Sequence, residues 1–168
     1  MGRASPSARG TLTEMPASVE EVMSLHRYYL AASMERDTFL RIITGHAQMT
    51  GQARRYAGEN WNESWIAMSY WYGGLYVVVE GWGELRLADS DVDALLASPN
   101  VELLRRYRNG VFHYQRRYWD ERFQELIRDG EKVVNWVHEL NREFGRWFLE
   151  WFERRERRSE QGPVEATE

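Results

Sequence analysis

The chain has 168 residues, a net charge of −4 and an isoelectric point near 5.7. This length predicts one domain with a substantial core, and the acidic balance argues against a protein that binds nucleic acid through its overall charge. The chain contains no cysteine, which excludes disulfides, cysteine-ligated zinc and a cysteine nucleophile and is typical of a reducing cytosol.

Residues 1–17 are rich in serine, proline, glycine and arginine and have no hydrophobic periodicity, which predicts a disordered arm. They contain no apolar core of the signal-peptide kind, so we expect a cytoplasmic protein. A single helical domain is predicted over residues 18–158, and residues 159–168 are predicted to form a flexible tail.

The first predicted helix begins at Ser18, because two glutamates follow in its first turn. An apolar pattern at helical spacing then continues from Val22 to Ile43. His26 and His46 stand alone, and we expect each to fill space in the core or on the surface.

Residues 64–79 contain no charged residue and are apolar on all sides of a helix, which predicts the central, buried helix. The run is shorter than the about 20 residues that a membrane span needs, so no membrane partner is expected. Glu80 follows directly, and a carboxylate at the end of an apolar run must find a partner or shift its pKa. Either Glu80 reaches solvent near the helix end, or it pairs with Arg108 or orients His113.

A short acidic helix is predicted over residues 89–97, with Ser90 as its cap. The next helix, called the motif helix below, has Ser98 as its cap and Pro99 at its first position. Its apolar pattern predicts that it runs to about Gln115.

The last predicted helix has the most regular pattern. Large apolar residues recur at spacings of three and four, which predicts a core stripe that would also suit a dimer interface. That row is Val133, Val137, Leu140, Phe144, Trp147 and Trp151. With a further helix predicted over residues 118–129, the fold class is an all-α, up-and-down bundle of four or five helices. His138 lies off the row and no His-Glu-x-x-His is present, so no metal site is predicted.

A local basic patch is predicted in the second half of the chain. Five arginines and no acidic residue lie between Leu103 and Trp119. Guanidinium groups bind phosphate oxygens two at a time, so this patch predicts a phosphate-binding surface. The alternative is a basic face that docks an acidic helix such as residues 89–95. The five are Arg105, Arg106, Arg108, Arg116 and Arg117.

The motif helix carries a histidine on its polar side. Its apolar stripe is Leu104, Tyr107, Val111 and Tyr114. Asn109 and His113 are four residues apart and are predicted to share one side, roughly opposite that stripe, with Arg108 on the shoulder between the two. A histidine that filled the core would share the apolar face, so the remaining alternative is that Asn109 and His113 are simply solvated.

Arg108-Asn109-x-x-x-His113, in a helix late in an all-helical chain, resembles the signature of the HEPN superfamily (higher eukaryotes and prokaryotes nucleotide-binding). That signature is an arginine, usually followed by a polar residue, with a histidine four to six residues further on. The resemblance covers most of residues 18–158. It implies an endoribonuclease without metal or other cofactor, and a homodimer whose two motifs face each other. It also implies a frequent role in toxin–antitoxin or phage-defence systems, with an antitoxin or regulatory partner.

One branch of this superfamily, paired with nucleotidyltransferase antitoxins, carries a tyrosine two residues after the histidine. Here that position is Gln115, and Tyr114 is one residue too early. The modification chemistry associated with that tyrosine is therefore not carried over to this chain. Tyr114 and Glu80 are kept as candidate supporting residues for the catalytic set of Arg108, Asn109 and His113.

The expected chemistry is attack of an RNA 2′-OH on the adjacent phosphate, which needs a base, an acid and positive charge. Histidine, with a reference pKa of about 6.5, serves as either base or acid near neutrality. Two copies of His113 across a dimer would supply both roles. Arg108 would stabilise the charge of the phosphorane, and Asn109 would orient His113 or the phosphate. DNA lacks the 2′-OH and is expected to be inert.

A second hypothesis belongs to another functional class. Some members of the superfamily lack cleavage activity and only bind. The same residues would then form a non-catalytic module that binds RNA, a nucleotide or a partner protein. RNA binding without cleavage by the purified protein distinguishes this hypothesis from the first.

Overall fold

The structure is a computed structural model of the chain and describes residues 17–48, 61–116, 121–130 and 132–160. The predicted N-terminal arm (apart from its last residue), Arg117 and residues 161–168 lie outside these ranges, as does the side chain of His46. All regular elements within the ranges are helices, which confirms the predicted all-α class. They are α1 (Val19–Gln48), α2 (Trp61–Glu84), α3 (Ser90–Leu96), α4 (Asn100–Phe112), α5 (Glu121–Asp129) and α6 (Val133–Glu160).

Helix α1 begins where the sequence predicts it. The backbone N–H of Ser18 donates to the Glu21 carboxylate at 2.7 Å, and the N–H of Glu21 donates to Ser18 Oγ at 3.2 Å. This reciprocal capping box satisfies two backbone donors that the first turn of a helix leaves without partners.

Helix α2 forms the centre of the bundle. Trp71, Leu75 and Val78 are fully buried. A Cβ added at Gly74 would lie 3.2 Å from the Cβ of Ala32, so the α1 and α2 backbones approach each other closely at this point. The predicted central helix is therefore confirmed, and it extends beyond the predicted residues at both ends.

One side of α2 departs from the prediction. Ile66 is 45% exposed and Tyr70 is 50% exposed, although both belong to the charge-free run that predicts burial on all sides. The exposed side chains lie near the end of α4. Phe112, the last residue of α4, packs over Gly73 of α2 in this region. This surface therefore becomes part of the candidate site described below.

Helix α6 packs on α1 and α2 through the predicted apolar row. Phe144 and Trp147 lie against the Trp82 ring, with centroid distances of 5.5 and 4.9 Å. Asn141 is fully buried among these rings and accepts a hydrogen bond from Trp71 Nε1 at 3.0 Å. The row from Val133 to Trp147 is consequently core of this chain and does not form an exposed stripe.

Helix α3 is capped one residue earlier than predicted. The Asp89 side chain, and not Ser90, accepts from the backbone N–H groups of Asp91 and Val92. Arg146 on α6 donates to the Asp89 carboxylate at 2.6 Å and thereby fastens α3 to α6. The acidic helix is thus docked by α6, and no ion pair links it to Arg105, Arg106, Arg108 or Arg116, the patch arginines within the described ranges.

Helix α4 runs antiparallel to α2. Arg108 contacts Glu80, while Phe112, further along α4, contacts Gly73, earlier in α2. Tyr107, fully buried, exchanges a hydrogen bond with Ser69 Oγ on α2 at 3.0 Å. This packing sets the arginine of the predicted motif against the end of α2.

None of the helices in the described ranges is both long enough and apolar enough to cross a membrane. There are six helices in these ranges, against the four or five that the sequence predicts. The sequence predicts a helical segment for each of the six, including the short helices α3 and α5 of seven and nine residues, so the difference lies only in the number assigned to the bundle.

Candidate active site at the end of α4

The helix that carries the motif ends at Phe112, three residues before the predicted end at Gln115. His113 has an extended backbone, with φ −119° and ψ 138°. Because the helix stops, Asn109 and His113 do not stack on one helical face, and that part of the prediction is wrong. His113 instead stands exposed just beyond the helix.

The side chain of Gln115 explains why the helix ends here. Its amide nitrogen lies 2.7 Å from the carbonyl oxygen of His113 and 3.4 Å from those of Asn109 and Gly110. The last carbonyls of a helix lack backbone donors, and a side-chain amide provides them with one. The amide therefore closes the end of α4.

Gln115 is also fixed from the other side. Its side-chain oxygen accepts a hydrogen bond from Arg122 on α5. The segment that holds His113 and Tyr114 is therefore tied both to α4 and to α5. The sequence analysis used Gln115 only as a departure from a family pattern, and neither its bracing role nor that of Arg122 has a spacing signal that would have revealed it.

Arg108 is held by two hydrogen bonds of equal length. Its Nη2 donates to Glu80 Oε2 at 3.1 Å, and its Nη1 donates to Asn109 Oδ1 at 3.1 Å. The predicted pairing of Glu80 with Arg108 is confirmed. Among the described residues, Glu80 makes no hydrogen bond to His113, so the other form of that hypothesis has no contact to support it.

The guanidinium of Arg108 also lies over an aromatic ring. Its Cζ is 6.0 Å from the centroid of Tyr76, within the range of a cation–π contact. Burial, and after it the charge of Glu80, raises the pKa of Tyr76, so this phenol remains neutral. Arg108 is thus held from three directions while 28% of its side chain stays accessible.

The free donors of Arg108 can be counted. A guanidinium has five N–H groups, of which one Nη1–H and one Nη2–H bind Asn109 and Glu80. The Nε–H is shielded from solvent and has no partner among the described residues. Two Nη hydrogens therefore remain for an external acceptor, which is the number that a bidentate phosphate contact uses.

The imidazole of His113 makes no hydrogen bond to Arg108 or Asn109 within the described part of the chain. The three residues of the predicted catalytic set therefore lie at one end of α4, but only Arg108 and Asn109 touch. Tyr114, the other candidate supporting residue, is 91% exposed beside His113.

A pocket of about 380 Å³ opens beside His113, between α2, the end of α4 and α5. None of the described residues that line it is a carboxylate, a lysine or an arginine, and most of this described wall is aromatic or aliphatic. The lining includes Trp65, Ser69, Tyr70, His113, Tyr114 and Phe123. Sequence reasoning missed this pocket because it placed Ile66 and Tyr70 in a helix buried on all sides.

The predicted patch of arginines is largely neutralised. Arg105 bonds Glu102 at 2.5 and 2.8 Å, and Arg106 bonds Glu125 at 2.9 Å. These acids lie just outside the span that was counted as free of acids. The prediction that Arg105 and Arg106 form an open phosphate-binding patch is therefore corrected, because each already has a carboxylate partner.

Arg116 differs from these two arginines. It is exposed and makes no ion pair with any residue that the structure describes. It follows Gln115 directly, so it lies on the same segment as His113. Of the predicted phosphate-binding residues that the structure describes outside the catalytic set (Arg105, Arg106 and Arg116), Arg116 is the one whose guanidinium makes no ion pair.

The other histidines occupy different surroundings. His26 packs between Phe148 and Phe152, with centroids 4.9 Å away, and burial lowers its pKa. His138 packs on Trp71, and burial together with the charge of Arg36 lowers its pKa. Among the described residues, no three histidine, aspartate or glutamate side chains are grouped so that they could hold a metal ion.

Comparison of the chain with protein-family models, with curated proteins and with solved structures found no match.

Proposed function

We propose that this chain is a HEPN-type endoribonuclease that cleaves RNA by transesterification without a metal ion. The observation that carries the proposal is the Glu80–Arg108–Asn109 arrangement at the end of α4, directly before an exposed His113. A fixed guanidinium with two free N–H donors and an accessible imidazole, carried five residues apart in the chain, provide positive charge and proton transfer, the two requirements of this reaction.

In the proposed reaction, the 2′-OH of one nucleotide attacks its own 3′-phosphate. The 2′-oxygen loses its proton to a base, the new P–O bond forms, and the bond to the 5′-oxygen of the next nucleotide breaks. An acid protonates that leaving oxygen, so the products are a 2′,3′-cyclic phosphate and a 5′-OH. Arg108 would bind the phosphorane oxygens, which carry more negative charge than those of the starting diester.

The proposal includes a homodimer in which each copy contributes one His113. Phe112 supports this part, because its ring is half-exposed on the outer surface next to the motif, where a second copy could cover it. In such a dimer one imidazole removes the proton of the 2′-OH and the other protonates the leaving oxygen. A role as a toxin or phage-defence effector, with a regulatory partner, belongs to the same proposal and rests on the resemblance in sequence.

The test is cleavage of a structured RNA by purified protein in excess EDTA, with analysis of the ends. We expect wild-type protein to produce 2′,3′-cyclic phosphates, and His113→Ala and Arg108→Ala to produce none while remaining folded. Arg36→Ala is the matched control, because Arg36 has the same 28% side-chain exposure as Arg108 and one carboxylate partner, Asp37. Full cleavage by the His113→Ala dimer contradicts the mechanism.

The second candidate function is a module that binds RNA or a nucleotide without cleaving it. The observation that favours it is that His113 has no described hydrogen-bond partner to orient its ring, whereas catalytic imidazoles are usually oriented by a third group. RNA binding by a well-folded dimer, with no product in the same assay, would establish this alternative.

A further inference from the structure

The pocket beside His113 has a composition that matches a flat, uncharged ligand. Trp65 and Phe123 meet edge to face, with centroids 5.9 Å apart, and Tyr70 is half-exposed at the pocket. Tyr114, at 91% exposure, leaves nearly all of its ring available for contact. Exposed tyrosine rings next to a candidate catalytic residue provide stacking surface that the protein itself does not cover.

The pocket also contains polar atoms that could read the edge of a ring. Ser69 is buried, and its hydroxyl exchanges a hydrogen bond with Tyr107 Oη. Gln115 also lines the pocket, with its amide already bonded to the end of α4 and to Arg122. The volume of about 380 Å³ lies in the range of about 300–1,000 Å³ that is typical of small-molecule sites.

The pocket lining and the chain segment that borders it differ in charge. The described lining residues include no carboxylate or guanidinium, so they offer a phosphate inside the pocket no arginine or lysine as counter-charge. Arg116 and His113 lie on the segment that borders it. A ligand with an uncharged aromatic part and an attached phosphate therefore fits this arrangement better than a purely apolar or a purely anionic one.

We propose that this pocket binds one unpaired nucleobase of the RNA, which stacks on Tyr70 and Tyr114 while the neighbouring phosphate lies at His113. The inference rests on the proposed function and deepens it, because it makes single-stranded RNA the substrate class. It also predicts that the base beside the cleaved bond determines where the enzyme cuts. Base–aromatic stacking is the interaction by which single-stranded RNA is held in many proteins.

The first experiment measures binding to wild-type protein of each 5′-nucleoside monophosphate and of ribose 5-phosphate, by equilibrium dialysis. We expect at least one nucleotide to bind and ribose 5-phosphate, which lacks a base, not to bind at the same concentration. Tyr70→Ala and Tyr114→Ala should each weaken nucleotide binding about 5- to 150-fold, the range for loss of one stacking contact. Tyr28→Ala is the matched control, because Tyr28 is 54% exposed on α1 and does not line this pocket.

The second experiment maps the cleavage sites of the same variants on one RNA of mixed sequence. We expect the wild type to prefer certain bases at the cut and the two pocket variants to lose that preference. Tyr114→Ala keeps the test informative if Tyr70→Ala does not fold, since Tyr114 makes almost no contact within the protein.

The outcomes separate this inference from the proposed function. Nucleotide binding that depends on Tyr70 and Tyr114 supports the pocket even if the protein never cleaves RNA. Cleavage with an unchanged site pattern in both variants overturns the pocket and leaves the ribonuclease proposal intact. If ribose 5-phosphate binds equally well, the inference is overturned, because the surface then binds phosphate and not a base. It is also overturned if the variants only convert a dimer into monomers, because the surface then binds a second copy.

Discussion

The guanidinium of Arg108 lies 3.1 Å from the carboxylate of Glu80, across the contact between α4 and α2. The pair joins the last charged residue of the motif helix to the first charged residue after the central apolar run. Neither side chain is fully buried, so the pair contributes little to stability and its main effect is on the orientation of Arg108. If Arg108 has the catalytic role proposed above, a group that positions it in this way affects activity more than folding.

The Glu80→Gln variant tests directly whether Glu80 affects activity more than folding. The variant keeps the shape of the side chain and removes its charge, so we expect the free energy of unfolding to change by at most about 1 kcal/mol. RNA cleavage should fall about 10- to 100-fold, because a guanidinium displaced by about 1 Å binds the transition state less well. Urea unfolding measures the change in stability, and cleavage rates measure the change in activity.

The matched control for that variant is Asp37→Asn, which removes the partner of Arg36 on α1. It should leave both stability and cleavage unchanged, since that pair lies away from the end of α4. If Glu80→Gln behaves like Asp37→Asn in both measurements, Glu80 has no role in the site.

The Gln115→Ala variant tests whether the Gln115 side chain stabilises the end of α4. Loss of the amide leaves the last carbonyls of the helix without their side-chain donor and removes the acceptor that Gln115 provides to Arg122. We expect a loss of about 0.5–1.5 kcal/mol in stability, faster amide exchange over residues 109–116, and lower cleavage activity because His113 is no longer held in place. Gln124→Ala, at an exposed position of α5, is the control and should leave the exchange of that segment unaltered.

Sequence reasoning worked best where a structure depends on neighbours in the chain. The helix start at Ser18 and the apolar row of α6 are set by local spacing, and both were predicted at the right residues. The Glu80–Arg108 contact spans 28 residues and was one of the alternatives that the sequence left open for Glu80, because a carboxylate that follows an apolar run needs a partner or solvent.

The errors of the sequence analysis lie where contacts between distant parts of the chain determine the structure. The end of α4 depends on Gln115 folding back and on Arg122 from α5, and no periodicity encodes either contact. Arg106 is neutralised by Glu125, 19 residues away on α5, so a search for acids near the arginine could not find it. The sequence analysis did not predict the pocket, because the exposure of Tyr70 depends on the residue at which α4 ends and no longer covers α2.

Two glycines of α2 provide a matched test of its packing on α1. A Cβ at Gly81 would clash with the buried Leu25 side chain, whereas a Cβ at Gly83 would meet nothing within 4 Å. Both Gly→Ala changes gain the same helix propensity, so the difference between them isolates packing. We expect Gly81→Ala to be about 1–3 kcal/mol less stable than Gly83→Ala in urea unfolding. Equal stabilities would mean that α1 and α2 are less tightly packed than the structure indicates.

Stability should fall on acidification because of His26. Its pKa is lowered from the ordinary value of 6.5 by burial, so the unfolded chain binds the proton more tightly than the folded one. Its contribution is therefore fully present above pH 6.5 and is lost as pH falls from there through the lowered pKa of the folded state. His26→Phe keeps an aromatic ring against Phe148 and cannot titrate. Urea unfolding from about pH 8 to about pH 5 should therefore show a shallower decline in this variant than in the wild type, and parallel curves would contradict the assignment.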